Sequence, residues 1–270
     1  MAYLTIGDYR LYYEDFPPRT AGTSKHPVVF LHGFTLDHRL WSGDAAHFSR
    51  SYRVLVLDSK GHGLSDTPPT GYSRDDRVED LVSLVNNLGI NKAHIVGLSM
   101  GGSTAIGLAL KYSERMASMT LVSTGAAGFD VGPKIRGIDR LAREKGIESA
   151  RDKWLRVSLM WYKKDKKHIR DLVEKMIREH SGAVWKDPMR GRYPRRYDLD
   201  DAHRITVPTL ILAGRLDKIF LELSRKLHER IPGSRLSVFE SVGHVLNLEA
   251  PDRFRKQLES FLETVEANGD

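Results

Sequence analysis

Two uninterrupted apolar runs, Val28-Val29-Phe30-Leu31 and Val54-Leu55-Val56-Leu57, constrain the fold of this chain more than any other feature. A strand with one face in water alternates apolar and polar side chains. A strand that is apolar throughout is buried on both faces, as in a parallel sheet covered by helices. His94-Ile95-Val96, Met119-Thr120-Leu121-Val122, Thr209-Leu210-Ile211-Leu212 and Leu236-Ser237-Val238-Phe239 are further short strands of this kind. Residues 3–6 and 11–13, separated by Gly7-Asp8, read as an opening hairpin. Helical patterns lie between the runs. Residues 75–88 place Val78, Leu81, Val82, Val85 and Leu88 on one face. Residues 103–111 form a second helix and 224–231 a third, stopped by Pro232-Gly233. Pro251 starts a last helix carrying Phe254, Leu258, Phe261, Leu262 and Val265. Strand and helix in alternation predict an open α/β sheet with helices on both sides.

The alternation stops between residues 126 and 203, which read as mostly helical and contain no buried-strand run. The clearest pieces are 153–162 and 171–179. The expected organisation is a core built from residues 1–125 and 204–270, with 126–203 inserted between two strands as a helical cap. The charge follows the same division. The chain of 270 residues carries a formal charge of +7, and both parts of the core are formally neutral. The insertion alone holds 20 basic and 13 acidic side chains. Acids and bases are mixed there and no nucleic-acid-binding motif appears, so a nucleic-acid partner is not expected. A solvated helical surface is the plain reading. Steering of an anionic substrate, or of an acyl group on an acidic carrier, is the functional one.

With no cysteine, disulfides, thiolate metal sites and a thiol nucleophile are excluded. No apolar run approaches the length that spans a bilayer, and the first residues lack the pattern of a signal peptide. A soluble cytoplasmic protein with no membrane partner is expected; the sequence does not specify its oligomeric state.

Gly97-Leu98-Ser99-Met100-Gly101-Gly102 carries the chemistry. It follows one predicted strand and opens a predicted helix, the context in which Gly-x-Ser-x-Gly lifts a serine hydroxyl clear of a sheet. Small residues two before and two after Ser99 allow strand and helix to approach closely. A serine needs a base, and the base needs an orienting acid. Asp217 and His244 each follow a later predicted strand, which brings both to the sheet edge where Ser99 sits. Asp58 and Asp130 are rival acids. The oxyanion hole should draw one amide from Met100 and the other from Phe34, in the loop after Val28-Val29-Phe30-Leu31. His32 is read as a brace for that loop. Trp154, Val157 and Trp161 share a helix face, either as an apolar ceiling over substrate or as the insertion's own core. Leu216 and Val245 flank the acid and the base and are expected to touch substrate.

Together, His32-Gly33-Phe34, Asp58-Ser59-Lys60-Gly61-His62-Gly63-Leu64-Ser65-Asp66, the Ser99 motif, Asp217 and His244 resemble the α/β-hydrolase fold enzymes, with Lys60 where that family usually carries Arg. The resemblance covers nearly the whole chain outside the insertion. It implies a mostly parallel eight-stranded sheet flanked by helices, with a helical cap. Ser99 stands where haloalkane dehalogenases and epoxide hydrolases use Asp. The stretch Leu36-Asp37-His38-Arg39-Leu40-Trp41 is similar to 3-oxoadipate enol-lactonases, and the size and cap are similar to small carboxylesterases. The Gly-Pro-Gly usual after His-Gly in meta-cleavage C–C hydrolases is replaced by Thr35-Leu36-Asp37. The resemblance implies a serine esterase acting on small or medium esters, with no metal and no organic cofactor. Lactone hydrolysis, C–C hydrolysis or perhydrolysis on the same triad, and a non-catalytic ligand receptor, are the alternatives.

Overall fold

The computed structural model describes residues 2–20, 25–129, 137–158, 166–187 and 197–268. The predicted hairpin forms, with β1 (Ala2–Ile6) antiparallel to β2 (Tyr9–Phe16) and Gly7 at φ 58° between them. The two apolar runs become β3 (Val28–Leu31) and β4 (Val54–Leu57), every residue of both buried. The remaining strands are β5 (Ala93–Leu98), β6 (Met116–Val122), β7 (Thr209–Gly214) and β8 (Arg235–Phe239). They make one eight-stranded sheet in the order β1-β2-β4-β3-β5-β6-β7-β8, parallel from β4 to β8.

Two-sided burial is visible in how neighbouring residues part. Val28, Phe30, Val54, Val56, Val96 and Leu98 face one apolar cluster; Val29, Leu31, Leu55, Leu57, Ile95 and Leu121 face the other. The first cluster is closed by α1 (Ser42–Phe48) through Phe48 and by the C-terminal α11 (Pro251–Ala267) through Phe254, Leu258, Phe261 and Leu262. The second is closed by α2 (Arg74–Asn87), α3 (Met100–Lys111) and α9 (Lys218–Arg230). Period-two alternation along the strands thus sends half of each apolar run to each helical layer.

Helix boundaries follow local chemistry. Ser73 caps α2 in a reciprocal box: its Oγ accepts the Asp76 N–H at 3.1 Å, and Asp76 accepts the Ser73 N–H at 2.9 Å. The buried stripe of α2 runs through Val78, Leu81, Leu84 and Val85, while Val82 and Leu88 lie at its margin. Asp80 is buried on the same helix, bonded to the Tyr9 hydroxyl and 3.4 Å from the Lys60 ammonium. Hydrophobic spacing alone cannot reveal such a position. The helix expected from Ser224 starts at Lys218, immediately after Asp217, and Ser224 is a buried mid-helix residue.

Between β6 and β7 the described residues form α4 (Ile138–Lys145), α5 (Ile147–Ser158), α6 (Lys167–Glu179), α7 (Ala183–Lys186) and α8 (Asp198–Asp201). Ile138, Ala142, Trp154, Leu155, Val173, Met176 and Trp185 from these helices join the apolar cluster that contains α1 and α11. Among the described residues, no helix is long and apolar enough to cross a membrane.

Candidate active site

Parallel strands β5, β7 and β8 point their carboxyl ends the same way, so the loops that follow them share one edge of the sheet. Ser99 is the first residue after β5 and the residue before α3. Its φ of 53° and ψ of −108° lie outside the regions an L residue ordinarily occupies. Three bonds hold it there. Its N–H donates to the Val122 carbonyl at 3.0 Å, and its own carbonyl accepts from Gly125 at 2.8 Å and Ser103 at 3.1 Å. The flanking glycines are required by space. A Cβ on Gly97 would lie 2.4 Å from the Gly101 backbone, and one on Gly101 would lie 2.3 Å from the Leu31 carbonyl oxygen.

Asp217 lies just beyond β7 and immediately precedes α9. The chain after β8 folds back over it. The Leu216 N–H donates to the Val242 carbonyl at 2.9 Å, and a Cβ on Gly214 would strike the Gly243 carbonyl oxygen at 2.1 Å. This close passage delivers His244, whose Nδ1 lies 2.6 Å from Asp217 Oδ2. Both side chains are buried, and the Phe220 ring lies over the imidazole with centroids 4.6 Å apart. A carboxylate on Nδ1 fixes the tautomer that leaves Nε2 as the proton acceptor.

The β3 loop reaches the same place. A Cβ on Gly33 would lie 3.5 Å from Ser99 Cβ, so Phe34 follows a residue in contact with the serine. Met100 is the first residue of α3. His32 braces the loop: Nδ1 bonds the Gly33 carbonyl at 2.8 Å, and Nε2 accepts the Ser59 N–H at 2.9 Å. Burial lowers its pKa. Of the rival acids, Asp58 accepts the His38 N–H at 2.6 Å, His38 Nδ1 at 2.8 Å and the Leu64 N–H at 2.9 Å, so it is committed to its own loop. Asp130 lies outside the described residues.

The expected substrate-contacting residues separate. Trp154 is buried, edge-on to Phe34 with centroids 5.4 Å apart, and its indole N–H donates to Thr35 Oγ1 at 2.6 Å. Leu216 is half exposed, whereas Val245 has no accessible surface and belongs to the core. Trp161 lies outside the described residues. Sequence reasoning missed an aromatic and histidine cluster around Phe34, formed by His62, Trp154, His180 and Trp185 at centroid distances of 5.4 to 6.0 Å. Burial, then the like charges of His180 and His32, drive the His62 pKa well below its ordinary value. Glu249 was missed too: its Oε2 accepts the Gly243 N–H at 2.9 Å. Its place five residues after His244, just ahead of Pro251, was the available signal.

Among the described residues, two groups of side chains have the composition of metal ligands: His26, His94 and Glu266, and Asp37, His38 and Asp58. Hydrogen bonds engage both. His94 Nε2 lies 2.7 Å from Glu266, and Asp37 is paired with Arg39. Neither group contains Ser99, Asp217 or His244.

Comparison with known proteins agrees with this architecture. The chain is 30% identical over 274 residues to a 2-hydroxy-6-oxononadienedioate/2-hydroxy-6-oxononatrienedioate hydrolase of Klebsiella pneumoniae, covering 89% of this chain and 88% of that protein. It is 27% identical to 3-oxoadipate enol-lactonase 2 of Acinetobacter baylyi, covering 96% and 95%. A thermophilic esterase from Thermogutta terrifontis, solved with malate bound, superposes with a TM-score of 0.85 at 25% identity, over 98% of this chain and 99% of that one. Residues 26–251 match the family described as the alpha/beta hydrolase fold. The chain belongs to the alpha/beta hydrolase fold family.

Proposed function

We propose that the protein is a carboxylic ester hydrolase that works through an acyl-enzyme, with Ser99 as nucleophile, His244 as base and Asp217 as its orienting acid. The observation that carries this reading is a strained Ser99 (φ 53°) after β5 at the same carboxyl edge of the sheet as the 2.6 Å His244–Asp217 contact formed beyond β7 and β8. In the first half-reaction His244 Nε2 takes the Ser99 proton as Oγ adds to the ester carbonyl. The amides of Phe34 and Met100 bind the oxyanion. The imidazolium, stabilised by Asp217, then gives its proton to the leaving alkoxide as the C–O bond breaks. In the second half, His244 takes a proton from water as it adds to the acyl carbonyl. Collapse returns that proton to Ser99 and releases the acid.

A lactone is an ester whose alcohol stays attached, so the same steps open it. The enol-lactonase relative, similar over nearly its whole length, makes lactones the second substrate class to test. The 30% identical hydrolase puts C–C cleavage third. A fluorophosphonate probe should label the wild type and not Ser99→Ala. A p-nitrophenyl ester series with a lactone panel should show turnover that Ser99→Ala lowers by at least about 10³-fold. Equal turnover by Ser99→Ala would overturn the assignment, and labelling without turnover would favour the receptor alternative.

A further inference from the structure

The chain leaves β8, passes the short α10 (Leu246–Glu249) and returns along the sheet as α11. Between α11 and the last two strands lies a recess of about 490 Å³. Strand alternation explains why the core stops there. Arg235 of β8 stands opposite Leu210 of β7, and Ser237 opposite Leu212. Both therefore share the face that Leu210, Leu212 and Phe239 turn toward α11, and they are polar where that core would otherwise continue. Leu210 and Arg235 lie at the amino ends of their strands, whereas Asp217 and His244 follow the carboxyl ends. The recess is thus at the far end of the sheet from the catalytic edge.

Leu210 and Phe261 line the recess as buried apolar side chains, and Arg235, Arg253 and Lys256 line it as exposed cations. Among the described residues no acid lines it, and neither Arg235 nor Lys256 is held in an ion pair. Arg253 is fixed differently: it donates to the Val238 carbonyl at 3.1 Å, and its guanidinium lies 4.1 Å from the centre of the Phe239 ring. Gln257 lines the same recess, and its Oε1 is buried without a hydrogen-bond partner. A donor brought by a ligand would satisfy that acceptor. The volume falls within the range of about 300–1,000 Å³ that small-molecule sites occupy.

We propose that this recess is a second binding site, for a small soluble amphipathic anion that carries an N–H or O–H donor. Its charge lies among Arg235, Arg253 and Lys256, its apolar body against Leu210 and Phe261, and its donor on Gln257. Cations beside an edge strand also discourage pairing with another sheet, but that role needs neither buried apolar walls nor a buried acceptor. A second copy docked symmetrically would set the cations of each chain against their like. A bilayer surface would meet the exposed cations and leave the buried Leu210 and Phe261 unused.

The probe is 8-anilinonaphthalene-1-sulfonate, which combines an anion, an aromatic body and an N–H. N-phenyl-1-naphthylamine is the same body without the sulfonate. In fluorescence titrations the wild type should bind the sulfonate at least about tenfold more tightly than the neutral amine. Arg235→Ser combined with Lys256→Ser should weaken the sulfonate by at least about tenfold and change the amine by less than about twofold. Arg235→Lys combined with Lys256→Arg should retain sulfonate binding. Amide shifts in NMR should concentrate on Arg235–Phe239 and the first half of α11. Equal affinity for the two probes, unchanged sulfonate affinity in the folded serine double variant, or shifts confined to the surroundings of Ser99 and His244 would each overturn the proposal. So would sedimentation with phosphatidylglycerol vesicles, lost in the serine double variant, by a protein that does not bind the sulfonate. That outcome would make the cations a membrane contact. No step of this test depends on esterase activity.

Discussion

The indole N–H of Trp154 on α5 donates to the Thr35 hydroxyl at 2.6 Å, and that hydroxyl donates in turn to the Phe34 carbonyl at 2.6 Å. Thr35 is buried and sits at φ 60°, so a short chain of hydrogen bonds pins a strained loop to α5. The loop is the one that presents the Phe34 amide. Trp154→Phe keeps a ring against Phe34 but removes the donor together with part of the buried ring system. It should lower kcat about tenfold with little change in KM, because the oxyanion forms only during the reaction. Urea denaturation should show a loss above about 1 kcal/mol, the ordinary value of one hydrogen bond, because the smaller ring also leaves a cavity. A shift in acyl chain-length preference at constant kcat would instead mark Trp154 as a substrate wall.

Strain at Ser99 makes a prediction whose sign opposes the usual rule. At an ordinary site Gly is less stabilising than Ala by about 0.5–1 kcal/mol, through the entropy of the unfolded chain. At φ 53° the Cβ costs on the order of 1–3 kcal/mol. Ser99→Gly should therefore be more stable than Ser99→Ala, by about 1 kcal/mol in urea denaturation, although the proposed mechanism expects both to be inactive. If Ser99→Ala is the more stable of the two, the backbone strain is not stored at this residue.

How much of this was legible in the sequence depended on whether the determinant was local. β3 and β4 begin and end where their apolar runs do, because two-sided burial allows no polar residue inside them. Ser99, Asp217 and His244 were legible because each stands just past a strand, and parallel strands bring such positions to one edge. Asp80, Thr35 and Glu249 were not. Each is a polar residue buried by contacts from distant segments or a tight loop: Tyr9 and Lys60 for Asp80, Trp154 for Thr35, the Gly243 amide for Glu249. Leu84 was missed for a milder reason. It shares the buried face with Leu81 and Val85, and the packing of α2 against the sheet, not its sequence, decided that Val82 would sit at the margin.

Three buried histidines should make the fold acid-sensitive. Burial lowers the pKa of His32, His62 and His94 below the ordinary 6.5. The unfolded chain then binds protons that the folded chain refuses. Their contribution is present above about pH 6.5 and is lost as pH falls toward the folded values. His38 has the opposite sign: burial opposes its charge, but the bond to Asp58 and the nearby carboxylates of Asp58, Asp37 and Glu14 together raise its pKa, so its contribution is lost as pH rises through that value. Among the described histidines with a shifted pKa, three lose stability on acidification against one that gains it; burial raises the pKa of Asp44, Asp80, Asp198 and Glu249, whose opposing contribution comes in as pH falls through the carboxylate range. Each histidine kept neutral contributes on the order of 1.4 kcal/mol per pH unit. Urea midpoints should fall steeply between pH 6.5 and 5, and His62→Phe should make the slope shallower by about one histidine's share. A flat profile would mean that these rings take up protons without unfolding.

The formal excess of seven positive charges lies in residues 126–203, and some of the charge there is already neutralised locally. On α6, Lys167 pairs with Asp171 at 2.8 Å and Arg178 with Glu174 at 2.7 Å, each one turn apart on exposed surface. Such pairs contribute little to stability but cancel one another's field beyond a few ångströms. The charge left over acts at longer range on an approaching ion. For an anionic ester, kcat/KM should therefore fall at least about threefold between about 0.05 and 0.5 M NaCl, as screening shortens from beyond 10 Å to a few ångströms. A neutral ester of the same acyl length should hold constant over that range. Neutralising the exposed Lys145 and Lys186 should flatten the salt response of the anionic ester and leave the neutral one alone. If both esters respond equally in the wild type, the excess charge solvates the helices and does not select substrates.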